Sequence, residues 1–537
     1  MLAYRVVQGT GSMRTLSIRR ADFMMVLAYA TDLATGQSRD FALRSCVLAM
    51  RLAARLGLDD PARRQVYHQA ILRYIGCNAD THLLASTFGD EIALRQDMAI
   101  ADLGDQTEFG QILVRAFTRA FDGLPAKDLN AAVQAALAEA MQVGVPILAG
   151  HCEVAQRIGA RIGLDDDMQA NLGQLYERWD GHGMPRGLAG EQVRLPVRLV
   201  TLAQEVIALT EARGFDAMTE AIRKRRGGAY EAALADAFLA DAKRLLDGID
   251  VMVNREAILA LEPEPHASLD EAGCEAAWLA IADMIDMRMP FTCGHSRAVA
   301  ALGAAAGRCM GLPAADIRSI RWAAYVHDLG ELAVPVSTWL RSTPFSARET
   351  DAAQLHPYHG ERALRALGAE GQPVAALVLR HHERLDGSGY HRQAKAPDLS
   401  PAARILAAAE AYQTAREDRP HRPALSAEAA AARLRTLVHA GKLCADGAGA
   451  VLTAAGQASR RAQAPSAPAG LTARELEVLG LIAAGHTAKE TARLLAIAPK
   501  TADNHIQNLY SKIGVSTRAG AALFALERGL VHQTIAA

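Results

Sequence analysis

The stretch RHHERLDGSGY, residues 380–390, has a partial copy upstream: ERLDGSG at 383–389 lies over ERWDGHG at 177–183 at an offset of 206. Working outward, Arg404 falls on Arg198 at the same offset. Nearer the N-terminus an offset of 254 sets Met310, Gly311 and Leu312 over Leu56, Gly57 and Leu58, Ala324 over Ala70, and Gly330 over Gly76. Two ordered sets of matches imply an internal repeat, one supersecondary unit used twice. The segments ALRSCVLAMRLAARLGL and RAVAALGAAAGRCMGL, which carry part of the match, space their apolar residues as helices do. The expected fold class is therefore all-α, with two tandem helical domains followed by a short third unit.

Length agrees with several domains, because 537 residues exceed what one core organises. Half of the residues are apolar and only 5% aromatic, an Ala- and Leu-rich balance that favours helices. Lys plus Arg number 58 against 59 Asp plus Glu, so no global basic field attracts nucleic acid and any such site must be local. Seven scattered cysteines without a CxxC pair argue against a disulfide framework or a zinc ribbon and for a reducing cytoplasm. No apolar run is long enough to span a bilayer. Two stretches read as linkers, EPEPHASLDEAG at 262–273 and GQASRRAQAPSAPAG at 456–470. The expected divisions are a disordered extension at 1–16, helical domains at 17–261 and 274–455, a linker at 456–470 and a C-terminal module at 471–537.

The second copy concentrates imidazole and carboxylate: His295, then His327 and Asp328, His356 and His359, His381, His382 and Glu383, Asp386, and finally Glu410. Histidine and carboxylate without thiolate suit iron, manganese or zinc in catalytic sites, and two such ions can hold a phosphoester. A single His-Asp dipeptide carries little weight in a chain with 17 histidines. The ordered set carries more. It resembles the HD superfamily of metal-dependent phosphohydrolases in its HD-GYP branch, over roughly residues 275–430. That resemblance implies His295, His327, Asp328, His356, His381, His382 and Glu410 as ligands of a binuclear Fe or Mn centre, with Zn as a third option. It also implies Asp328 as the bridge, His327 and Asp328 as the catalytic pair, and a nucleotide or cyclic dinucleotide as ligand. Glu331, Gly387, Gly389 and Tyr390 are the expected substrate-binding positions, with Asp386 bracing the glycine turn and His359 an ordinary polar helix residue.

Four departures set this copy apart from the family pattern. Glu331 replaces a lysine, His391 the proline of the GYP element, Glu410 a late aspartate, and Phe291 a glutamate that would serve a third metal. In the first copy the same offsets place Phe41 under His295, Arg73 and Tyr74 under His327 and Asp328, Leu175 and Tyr176 under His381 and His382, and Gln204 under Glu410. Only His151 lies near the counterpart of His356. This copy is expected to bind no metal, leaving packing, dimerisation or sensing as its roles, with a blank scaffold the plainer reading over a ligand pocket.

In the last unit, Thr472 with Glu475 and Thr487 with Glu490 form capping-box patterns, and Ala502, Ile506, Leu509 and Ile513 form one apolar stripe behind Pro499. The unit is similar to the LuxR-type helix-turn-helix family in Leu471–Leu479, Gly485–Ile497, Lys500–His505 and Tyr510–Arg518. A four-helix DNA-binding domain is implied, with Asp503, Asn504 and Gln507 toward bases and Lys500, Thr501, Asn508 and Lys512 toward phosphates. Seven basic against five acidic residues from 470 onward make it only mildly basic, so useful affinity for double-stranded DNA calls for a homodimer. The combined expectation is a cytoplasmic, bacterial-type DNA-binding regulator with a metal-dependent phosphohydrolase domain; the alternative is a catalytically weak metal- and nucleotide-binding sensor that gates the helix-turn-helix.

Overall fold

A computed structural model describes residues 17–79, 81–457 and 471–530. The extension at 1–16 and most of the linker at 456–470 lie outside the described residues. Among the described residues the fold is all-α apart from one antiparallel pair of two-residue strands, Ile18–Arg19 with Ser268–Leu269.

The repeat appears in the helix boundaries. Helices Phe41–Arg55 and Asp60–Leu72 of the first copy correspond to His295–Cys309 and Ala314–Val326 of the second, and Leu195–Arg213 to Pro401–Ala415. Each start is displaced by the offset read from the sequence. A close approach recurs as well. A Cβ on Gly330 would stand 1.9 Å from the His356 carbonyl oxygen, and one on Gly76 would stand 1.9 Å from that of His151. Only glycine fits where two backbones meet this closely, and the paired contact makes His151 the counterpart of His356.

The glycine loops are duplicated in the same detail. Glu383 accepts the amides of Arg392 and Ala394 at 3.0 and 2.9 Å, and Glu177 accepts those of Arg186 and Leu188 at 2.9 and 2.8 Å. A buried carboxylate that takes two backbone N–H groups ties the loop to its helix.

The copies differ in what lies between these shared parts. Gly76 and His151 are separated by helices Thr81–Phe88, Glu91–Ala99 and Gln106–Ala120 and by the start of the 36-residue helix Ala126–Arg161. This insertion has its own apolar cluster around Phe88, Leu94, Ile112, Leu113 and Phe117. Arg288 of the second copy, 1% exposed, reaches into it to donate to Glu91 at 3.0 Å. Helix Arg20–Thr35 is buried along most of its length and packs on both copies, as expected of a helix apolar on nearly every face.

The stretch 262–273 corrects the sequence reading of a linker. Glu262 is 4% exposed and pairs with Arg19 at 2.7 Å and His68 at 3.2 Å, while Ser268–Leu269 forms the strand opposite Ile18–Arg19. Its prolines mark a turn between copies that is held down at both ends. The C-terminal module also docks on the first copy: Glu153 accepts from the Thr517 hydroxyl at 2.6 Å, and Arg157 donates to the Gly514 carbonyl at 3.0 Å. All cysteines among the described residues are free, and no helix there is long and apolar enough to cross a membrane.

Candidate metal centre and DNA-binding face

The structure brings all seven sequence-predicted ligands of the second copy together, in two clusters. His295, His327 and Glu410 form one; Asp328, His356, His381 and His382 form the other; within each, the candidate ligand atoms lie within 4.8 Å of one another. Helix starts and ends place them. His295 and His356 open their helices, His327 and Asp328 follow Val326 at a helix end, and Glu410 faces inward from Pro401–Ala415.

Asp328 spans the clusters. Its Oδ2 lies 3.2 Å from His327 Nε2 and 3.6 Å from His295 Nε2, and its Oδ1 lies 3.5 Å from His356 Nε2 and 3.6 Å from His381 Nε2. Three of the imidazoles are oriented by backbone. His327, His356 and His381 donate Nδ1–H to the carbonyls of Ala324, Ala353 and Val378 at 2.8, 2.7 and 2.6 Å. With the proton on Nδ1, each neutral ring turns the lone pair of Nε2 inward. Yet His356 Nε2 faces His381 Nε2 at 2.9 Å, and His327 Nε2 faces His295 Nε2 at 3.2 Å. Facing lone pairs repel unless a cation or a proton lies among them, so the donor set fits divalent metal.

The carboxylates draw positive charge to the His327 cluster, whereas His356 in the other cluster stays neutral. Burial pulls His327 down, but Asp328 and Glu410 outweigh it and lift the ring to about 10. Burial and the neighbouring His381 push His356 down to about 3. Burial pushes the Asp328 carboxyl up, and the surrounding imidazoles outweigh that and hold it well below the usual carboxylate range.

Sequence reasoning missed Glu417. Its Oε2 accepts from His295 Nδ1 at 2.8 Å, the carboxylate–histidine contact that orients a metal-binding ring, and Arg419 pairs with the same oxygen at 3.0 Å. It lies just past the end of helix Pro401–Ala415, where no motif marks it. Arg419 also lies over Phe291, its guanidinium carbon 5.2 Å from the ring centroid, so a cation stands near the position where a third metal would need a carboxylate.

Around the clusters, Tyr390 stacks on His382 with centroids 4.3 Å apart. Gly387 has φ +81°, and a Cβ on Gly389 would strike the Glu383 backbone at 2.5 Å. Asp386 accepts the Ser388 amide at 2.9 Å and braces the turn. His359 belongs to neither cluster and rests against Tyr358. Glu331 sits in the short helical turn after Asp328; burial and then the Asp328 charge push its carboxyl well above the usual range.

In the DNA module, helices Ala473–Ala483, Ala488–Leu494, Pro499–Ile513 and Arg518–Glu527 carry both capping boxes. Ala502, Ile506, Leu509 and Ile513 are the buried stripe of Pro499–Ile513, and Lys500, Thr501, Asp503, Asn504, Gln507, Asn508 and Lys512 are exposed. Lys512 differs from expectation in one respect: its ammonium donates to Glu475 at 2.8 Å, tying this helix to the first capping box.

Known proteins resemble the chain in both regions. Residues 135–230 and 280–442 match the HD domain, and residues 469–525 match the bacterial regulatory proteins of the luxR family. The 3'3'-cGAMP-specific phosphodiesterase 3 of Vibrio cholerae serotype O1 is 23% identical over 434 residues, covering 78% of this chain and 91% of that protein. The cyclic di-GMP phosphodiesterase response regulator RpfG of Xanthomonas campestris pv. campestris is 35% identical over 126 residues, 23% of this chain and 33% of its own length. The probable transcriptional regulatory protein NarL of Mycobacterium tuberculosis is 47% identical over 77 residues, 14% of this chain and 35% of its own length. The crystal structure of a V. cholerae cyclic GMP-AMP-specific phosphodiesterase superposes with a TM-score of 0.57 at 19% identity, covering 83% of this chain and 99% of that one, and so shares its fold.

Proposed function

We propose, for a chain that carries HD-domain sequence in both copies and a C-terminal DNA-binding domain of the luxR family, that the second copy hydrolyses a cyclic dinucleotide and that its state sets DNA binding by a homodimer in the cytoplasm. The observation that carries this reading is Asp328, which offers one oxygen to each of two imidazole clusters whose ring nitrogens face one another.

His295, His327 and Glu410 would hold one ion and His356, His381 and His382 the other, with Asp328 shared. Bound divalent metal supplies charge neutralisation at the phosphodiester and activation of water near neutral pH. The chain's own part is to hold this set rigid. Three backbone carbonyls and Glu417 orient the rings, and Glu383 pins the glycine loop that brings Tyr390 over His382. Hydrolysis adds water across one P–O ester bond, opening the ring to a linear dinucleotide.

Glu331 favours a second reading. A carboxyl where the related pattern has lysine withdraws a cation from the phosphate, and a site that binds a dinucleotide but turns it over slowly would act as a sensor gating the module. The experiment is incubation of the full chain, loaded with Mn²⁺ or Fe²⁺, with 3'3'-cGAMP and with cyclic di-GMP, following linear product and binding. Product supports the enzyme; binding without product supports the sensor; neither overturns both. On the DNA side, Lys500→Ala should weaken binding to every sequence and reduce the salt slope by about one, and Gln507→Ala should change sequence preference.

A further inference from the structure

The space that holds the metal ligands in the second copy is an open cavity in the first. It measures about 290 Å³, near the lower bound of roughly 300 Å³ for small-molecule pockets. Arg73, Gln204, His151 and Tyr176 line it, and these are the counterparts of His327, Glu410, His356 and His382. Most of its apolar wall comes from the insertion that the second copy lacks, through Leu84, Phe88, Leu94, Met98, Phe109 and Leu113. One end is therefore polar and the other apolar.

At the polar end His151 and Tyr176 are bonded to each other, while Gln204 and part of Arg73 are left over. Gln204 is 2% exposed, and among the described residues neither its amide oxygen nor its amide nitrogen has a hydrogen-bond partner. Arg73 is 8% exposed; it donates from one terminal nitrogen to the Thr201 hydroxyl, its Nε is unpartnered, and no carboxylate pairs with it among the described residues. Arg95, also in the lining, donates to the Ala34 and Cys77 carbonyls and the Thr81 hydroxyl and likewise has no carboxylate partner there. The acidic residues of the lining are already engaged: Glu205 with Arg225 at 2.8 Å and Tyr230, and Glu177 with two loop amides. Burial pushes His151 down to about 3, with Arg95 adding to the effect, so that ring brings no charge. A buried guanidinium without a counter-ion and an amide without partners are costly unless a ligand completes them.

We propose that the first copy binds an amphipathic organic monoanion, a carboxylate with an aliphatic or aromatic body. Its headgroup accepts from Arg73 Nε–H and the Gln204 amide, and its body lies against Phe88, Leu94 and Leu113. The duplicated scaffold thus carries two different sites. Arg73 excludes metal by standing, as a cation, where His327 would be a ligand, and the apolar insertion disfavours a highly charged nucleotide.

The test uses the full chain and sodium octanoate, with octan-1-ol as an uncharged probe of equal length, followed by titration calorimetry and thermal shift. One octanoate should bind per chain and raise the melting temperature, with octanol at least tenfold weaker. Arg73→Met should weaken octanoate at least tenfold and leave octanol within about twofold, and Gln204→Leu should weaken octanoate several-fold. Ala99→Trp, which fills the cavity from its lining, should abolish both and serves if Arg73→Met does not fold. His327→Ala with Asp328→Ala should leave octanoate binding unchanged, separating this site from the second copy. No octanoate binding by the wild type, equal binding by folded Arg73→Met, or octanol binding as tight as octanoate would overturn the proposal.

Discussion

The two copies share helix starts, a glycine packed on a histidine carbonyl, and a carboxylate-pinned loop, yet one gathers seven metal-type ligands and the other sets over an apolar cavity an arginine that has no carboxylate partner among the described residues. What they share is the backbone of these parts; they differ in the side chains that project into the hollow and in the helical insertion that walls it in the first copy. A repeat can keep its fold while its chemistry is replaced, because packing depends on the glycines and apolar faces and the chemistry on a few inward positions.

The contrast yields ordered expectations. The largest is catalytic. Asp328→Asn removes the charge shared by both clusters and should lower hydrolysis on the order of 10³-fold, about 4 kcal/mol, in a product assay. Tyr74→Phe, at the matching position of the first copy, should leave the rate unchanged, and an equal loss there would break the division of labour.

Next is stability, where the copies should behave alike. Gly330→Ala and Gly76→Ala each press a methyl group against a backbone carbonyl that cannot yield cheaply. Each should cost roughly 3 kcal/mol by denaturant unfolding. A tolerated substitution in one copy alone would show that the scaffolds are less alike than their geometry.

Smaller is the effect of Glu331→Lys, which restores a cation beside the phosphate and should tighten binding of a cyclic dinucleotide about tenfold, near 1.4 kcal/mol. Weaker binding by this variant would make Glu331 a working part of the site.

The smallest expectation lies in the module. A hydrogen bond from Lys512 and one from the Thr472 amide hold Glu475 down to about 2 from its usual 4.5. Because the folded value is the depressed one, the stabilisation is present above pH 4.5 and lost as pH falls through 2. Hydrogen exchange of helix Ala473–Ala483, corrected for intrinsic rates, should show protection falling over this window. Glu475→Gln should remove about 1 kcal/mol of it near neutral pH and flatten the dependence.

Much of this was legible in the residues. The offsets of 254 and 206 placed helix starts, because a repeat preserves backbone register. His295, His327, Asp328, His356, His381, His382 and Glu410 could be named through the resemblance that their order carries, and they do come together. The stripe at Ala502, Ile506, Leu509 and Ile513 followed from helical periodicity. Glu417 did not, because a carboxylate that acts by orienting a histidine is defined by contact rather than by a motif. The 262–273 stretch was misread because proline marks a turn whether or not its flanks are paired. The cavity was illegible for a related reason: its apolar wall comes from an insertion whose helices show amphipathic spacing, with nothing to say that they stop short of filling the space beneath them.

The most direct test of the asymmetry between the copies is a metal count on the purified full chain after reconstitution with Mn²⁺ or Fe²⁺. Two ions per chain are expected, none in His327→Ala with Asp328→Ala, and two again in Arg73→Ala with Tyr74→Ala. Four ions in the wild type, or equal loss in both double variants, would contradict it.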